Sequence, residues 1–208
     1  MAVDANALSQ AIIAAFPADF NYDPLDREGK PQIQRQWLDS MSGGFIPMWT
    51  AGTMTPGTGP PPPGSFPHVH TLLILVPATM STPPATFLPG LGGLSGLYIG
   101  AIAAAVSEHL IANTTTSLVD GAVSHKHLFL SFGVGTGMRD LMLTKIRALA
   151  PVTVQVGGKT ITVDINPDTE GSRVSDWCLG VSNGIINHLT AAADMTLAVG
   201  SGHVHLLL

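Results

Sequence analysis

Charge is what this sequence has least of. Only 11% of its 208 residues are Asp, Glu, Lys or Arg, less than half of the roughly 25% usual in globular domains. A chain with so few charges is expected to hide much of its exterior against neighbours, as the subunit of an assembly does. Cysteine is nearly absent: Cys178 stands alone, which excludes an intrachain disulfide framework and a thiolate zinc module. Nine basic residues against fourteen acidic ones leave a net charge of −5. The basic residues do not cluster, and phosphate neutralisation needs grouped Lys and Arg, so no nucleic-acid partner is expected. Met1 to Asn6 has no basic region, so no secretory signal is expected. HExxH, GxSxG and Cys-His motifs are all missing, and the acids lie mostly outside the apolar middle of the chain, so no enzyme activity is expected.

What the sequence does have is glycine (23), proline (16), a near-average 45% of apolar residues and eight histidines. The length allows one large or two small domains with a real core. Six of the histidines fall into three copies of one pattern, a His-x-His pair followed by an apolar run: His68 and His70 before Thr71 to Val76, His125 and His127 before Leu128 to Leu130, and His203 and His205 before Leu206 to Leu208. In an extended strand, residues two apart share a face, so each pair presents two imidazoles side by side. Imidazole suits Zn, Cu, Fe and Ni, and six of them could fill a six-coordinate site. The same pairs serve equally as strand-end histidines bonded to loop carbonyls. No cofactor is expected from any motif, a transition metal on His68, His70, His125, His127, His203 and His205 being the one exception that the sequence leaves open. A single metal site would require the three strands to lie adjacent, with their N-terminal ends together.

Along the chain, Asp4 as N-cap and the four-residue repeat Leu8, Ile12, Phe16 predict a first helix stopped by Pro17. Ile33, Trp37 and Met41 mark a second helix ending at Gly43-Gly44. Residues 46–67, with four consecutive prolines at 60–63, read as an extended, semi-rigid linker or arm that neither a helix nor a central strand can absorb. Ala85 to Val106 carries no charge and has Gly92, Gly96 and Gly100 at the spacing of closely packed membrane helices. Pro89 and Gly92-Gly93 break its first half, so a buried helix over Leu97 to Ala112 is expected and a membrane role is not. Gly133, Gly135 and Gly137 follow the second His strand (125–132) and precede a helix over 138–149. They lack the GxGxxG spacing and the Walker lysine, and are expected to form a tight strand-to-helix turn rather than a nucleotide site. Val152 to Ile165 alternates around Gly157-Gly158 as a β-hairpin, and a last helix is expected near Ser175 to Ala193. The whole reads as an α+β fold: a helical region over 1–45, the linker or arm over 46–67, and a body over 68–208 holding a mixed or antiparallel sheet with packed helices.

The helix Ala7 to Phe16, the helix Gln36 to Met41 and the proline-rich bridge after them resemble, over roughly the first 65 residues, small virion structural proteins of tailed bacteriophages. That resemblance implies a non-enzymatic tail, neck or baseplate component, localised to the virion, which forms a homo-oligomer and contacts other virion structural proteins. His-x-His metal sites at threefold axes of phage spikes and fibres are similar to the pairs here, although those draw one pair from each chain. Gly64 to His70 resembles the opening of a cupin motif but lacks the Glu that follows in cupins. The alternative reading is a His-ligated metal-binding protein or metalloenzyme.

Overall fold

Five helices and seven short strands make up the described part of the chain in a computed structural model. The residues described are 3–20, 33–56, 70–73, 75, 80, 92–117, 125–149, 151–164, 166–197 and 204–208. The fold is α+β, as expected, with small antiparallel sheets beside a cluster of helices.

Helix α1 (Ala5–Ala15) starts where the sequence predicts, with the Asp4 carboxylate accepting the Ala7 N–H at 2.8 Å. Its buried Leu8 and Ile12 face helix α5 (Val174–Ala192). The contact is close because α5 carries Gly180 and Gly184 on that side; a Cβ at Gly184 would run into the Ile12 backbone, and one at Gly180 into the Phe16 ring. Burial of Leu8 and Ile12 is worth about 1.5–3 kcal/mol per side chain, and a helix this short needs such packing to persist.

Helix α2 (Ile33–Thr50) runs past the expected stop at Gly43-Gly44 and through Pro47. The physical reason is its buried face: Leu38, Met41, Phe45, Met48 and Trp49 are all fully buried. Propensity at two glycines and one proline gives way to tertiary packing of that size. The expected bridge is therefore helical over its first residues. It then becomes strand β1 (Thr53–Pro56), the central strand of a three-stranded sheet with order β2-β1-β7. The β-branched Thr53 and Thr55 flank buried Met54 and favour a ladder; Pro56, which has no N–H to donate, stands only at its last position, ahead of the run of prolines. Residues 57–67, the rest of the bridge, lie outside the described part.

Strand β2 (His70–Leu72) and strand β7 (His205–Leu206) both pair antiparallel with β1. Helix α3 (Gly92–Asn113) begins earlier than the expected Leu97 and is buried along Ile99, Ile102, Ala103, Val106 and Leu110, as a helix apolar nearly all round must be; its one charged residue, Glu108, pairs with Lys145. Among the described residues no helix is long and apolar enough to cross a membrane. Strand β3 (Thr114–Thr116) follows α3 directly and pairs with strand β4 (Phe129–Phe132). Gly133, at φ +82°, makes the tight turn into helix α4 (Gly135–Arg147).

Strands β5 (Val152–Val156) and β6 (Lys159–Val163) form the predicted hairpin. Gly157 and Gly158 take φ +56° and +76°, the double left-handed pair that a two-residue turn matching the strand twist requires. One core joins the pieces: residues of α1 to α5 and of β1, β2 and β4 belong to a single buried cluster.

Candidate metal centre

Four histidines meet between the β2-β1-β7 sheet and the segment that leads into the β3–β4 sheet. His70 opens β2 opposite Pro56, and His205 opens β7 opposite Met54. Opposed residues of an antiparallel pair share a face, and so do residues two apart on β1. The register therefore puts His70 and His205 on the same face of the three-stranded sheet. Their rings come to 4.5 Å between centroids. His125 and His127 reach the same place from the extended segment that leads into β4. Ring centroids of the four lie between 4.4 Å (His70 to His127) and 6.1 Å (His70 to His125). One nitrogen from each falls within 4.8 Å of all the others.

The cluster is closed to solvent. His70, His125, His127 and His205 are 2%, 8%, 1% and 0% exposed, and the group contains neither carboxylate nor thiolate. Backbone carbonyls set two of the tautomers. His127 Nδ1 lies 2.7 Å from the Ser117 carbonyl, and His205 Nδ1 lies 2.7 Å from that of Thr196. A carbonyl only accepts, so Nδ1 carries the proton in each and Nε2 is left with its lone pair. This orienting bond, from the ring nitrogen not used for ligation, is the one that metal-bound histidines commonly make. His127 Nε2 stands 3.0 Å from His125 Nε2; two nitrogens about 2.0–2.1 Å from one zinc-like ion would stand about 3.3 Å apart in a tetrahedron. Burial, together with the neighbouring His125, lowers the His205 pKa despite the Thr196 bond that raises it. Both lowering effects favour the neutral ring, the form a ligand requires.

A threonine absent from the sequence-level candidates helps hold the site together. The Thr116 hydroxyl accepts the His70 N–H at 3.2 Å and faces the His70 carbonyl at 3.4 Å, tying β3 to β2 beside the cluster. Its signal in the sequence is faint, a run of three threonines after a helix. The Ser117 and Thr196 carbonyls are backbone atoms and leave no signal at all.

Of the six histidines predicted as ligands, His70, His125, His127 and His205 are brought together; His68 and His203 lie outside the described residues. The expected long strands shrink to β2, β4 and β7, and His125 and His127 precede their strand rather than open it. The two histidines outside the pairs are elsewhere. His188 on α5 accepts the Asp4 N–H on Nε2 at 3.3 Å, and His109 on α3 packs under the Gly133 turn. Burial lowers the pKa of both. Cys178 is buried in α5 with its thiol pushed up to about 12 by burial, so it is not a reactive thiolate. Comparison with protein-family models, with curated proteins and with solved structures gave no match.

Proposed function

We propose that the chain is a non-enzymatic structural subunit of an oligomeric assembly, clamped internally by a transition metal on His70, His125, His127 and His205. The observation that carries this reading is the convergence of four buried imidazoles, drawn from three distant stretches of chain, with their ligand nitrogens inside 4.8 Å. Four neutral nitrogen donors favour late first-row ions over Mg or Ca, which prefer oxygen. A site so enclosed gives an ion no position facing a substrate, which favours a structural role over a catalytic one. The clamp joins the three-stranded sheet to the segment entering the other sheet. Cross-linking remote segments removes freedom from the unfolded chain, as a disulfide does.

The assembly role draws support from the scarcity of charge and from leucines left exposed on the ligand-bearing segments: Leu73, Leu128, Leu130 and Leu206. A tail, neck or baseplate position in a tailed-phage virion remains the specific form of this proposal, resting on the resemblance of the N-terminal residues.

The test is elemental analysis of protein purified without a histidine tag, followed by X-ray absorption at the edge of the metal found. One metal per chain in a nitrogen shell near 2.0–2.1 Å is expected. His68→Ala and His203→Ala separate a four-imidazole from a six-imidazole shell. A chain that stays metal-free in supplemented medium and takes up neither Zn, Co, Ni nor Cu in vitro sinks the reading.

A further inference from the structure

Resting on that metal reading, we infer that the antiparallel pair of segments 194–197 and 204–208 is the gate through which the ion reaches the four imidazoles. With every ligand at most 8% exposed, an ion enters only when part of the enclosure moves, and a ligand-bearing segment that moves uncovers the imidazoles directly. The three segments differ in how they are held.

His70 sits on a strand paired with β1 at three positions, a ladder continued by the Leu73 N–H to the Thr53 carbonyl. The Thr116 hydroxyl adds its bonds to the His70 backbone. His125 and His127 are bracketed by Ser117, whose N–H donates to the Leu128 carbonyl, whose hydroxyl accepts the Leu128 N–H and whose carbonyl accepts from His127 Nδ1. These ties bind both segments to the β3–β4 sheet.

The segment with His205 is built differently: among the described residues, its two halves bond chiefly to each other. Thr196 N–H donates to the Leu206 carbonyl, Leu208 N–H to the Asp194 carbonyl, Leu206 N–H to the Thr196 hydroxyl and His205 Nδ1–H to the Thr196 carbonyl. All of these survive if the pair of segments swings as a unit, so His205 takes its orienting carbonyl with it. Among the described residues, the outward ties that must break include the two-residue pairing with β1, the Trp49 indole N–H to the Leu208 carbonyl, the Lys126–Asp194 ion pair at 2.6 Å, the ring contacts of His205 with the other three histidines, and the burial of Met195 and Leu207.

Weakening an outer tie should open the gate more often whether or not an ion is inside. Entry and release then accelerate by the same factor and Kd does not change; a damaged ligand set would instead raise release alone. The test uses the full chain with Co2+ as spectroscopic probe, entry followed by stopped flow and release followed after addition of EDTA. Asp194→Asn removes the ion pair but keeps the oxygen that accepts the Met195 N–H. It should raise both rates about two- to fivefold, the reach of a partly exposed ion pair. Trp49→Phe should act in the same direction, and Asp168→Asn, which breaks the exposed ion pair with Arg147 on α4, should leave both rates unchanged. Rates indifferent to Asp194→Asn, or release that accelerates alone, overturn the gate while leaving the metal reading intact. A chain that binds no Co2+ overturns the metal reading and the gate with it.

Discussion

At the scale of single residues, three kinds of buried histidine behave differently, although the sequence shows only eight of one letter. The paired ones were legible as a group because the period of two repeats three times. Which nitrogen each ring offers was not legible, because the Ser117 and Thr196 carbonyls decide it and a backbone atom carries no letter. His109 and His188 had no pattern to reveal them, yet both are buried and both have depressed pKa values. The sign of their effect on stability follows directly. Their folded pKa lies below the ordinary 6.5, so between those two values the unfolded chain binds more protons, and stability rises with pH there. Their contribution is complete above pH 6.5 and is lost as pH falls toward the folded values. His188→Gln should flatten the difference between urea midpoints measured at pH 7.5 and pH 5 relative to wild type. Taking that difference between variant and wild type cancels whatever the other histidines contribute. An unchanged pH slope in the variant would show that His188 is neutral by accident of the fold rather than held so by it.

At the scale of elements, what was legible is what local chemistry determines. The Gly157-Gly158 hairpin and the Asp4 cap needed nothing from elsewhere in the chain, and the structure has both. For helix α2 the sequence predicts an end at Gly43-Gly44, a local stop signal that the structure overrides. What overrides it, burial of Phe45, Met48 and Trp49, exists only once the other elements are in place. Glycines that look alike in sequence therefore do opposite things. Gly43 is exposed in a helix interior with nothing within 4 Å of where a Cβ would stand. Gly43→Ala should stabilise the protein by about 0.5–1 kcal/mol, the backbone freedom that glycine loses in a helix. Gly184 admits the Ile12 backbone, and Gly184→Ala should cost about 1–3 kcal/mol through overpacking of α1 against α5. Chemical denaturation of the two variants checks both signs, and a stabilised Gly184→Ala would mean that α1 does not dock on α5 as described.

At the scale of the whole molecule, an ion that binds the folded chain alone adds stability by mass action. At free metal about a thousandfold above Kd the gain is about 4 kcal/mol, and for a chain of this size each kcal/mol moves the melting temperature by about 2–4 °C. Chelator should therefore lower the melting temperature by roughly 8–16 °C from its metal-saturated value, and His127→Ala should abolish that difference. Equal melting in EDTA and in excess metal would leave the cluster without a stabilising role. Assembly makes a separate demand on the outer surface. Period-two alternation that turns His125 and His127 inward turns Leu128 outward, and Leu128 and Leu130 are each 66% exposed. They border a groove lined by Leu189 and Ala193, and a lone subunit gains nothing from keeping such large apolar side chains wet. Replacing both with lysine removes no internal contact of consequence, so stability should shift by no more than about 0.5 kcal/mol per site. If copies of the chain meet through this face, light scattering should show the double variant smaller than wild type at equal concentration, with the same melting temperature. Identical particle sizes for the two proteins would mean that this face takes no part in self-association.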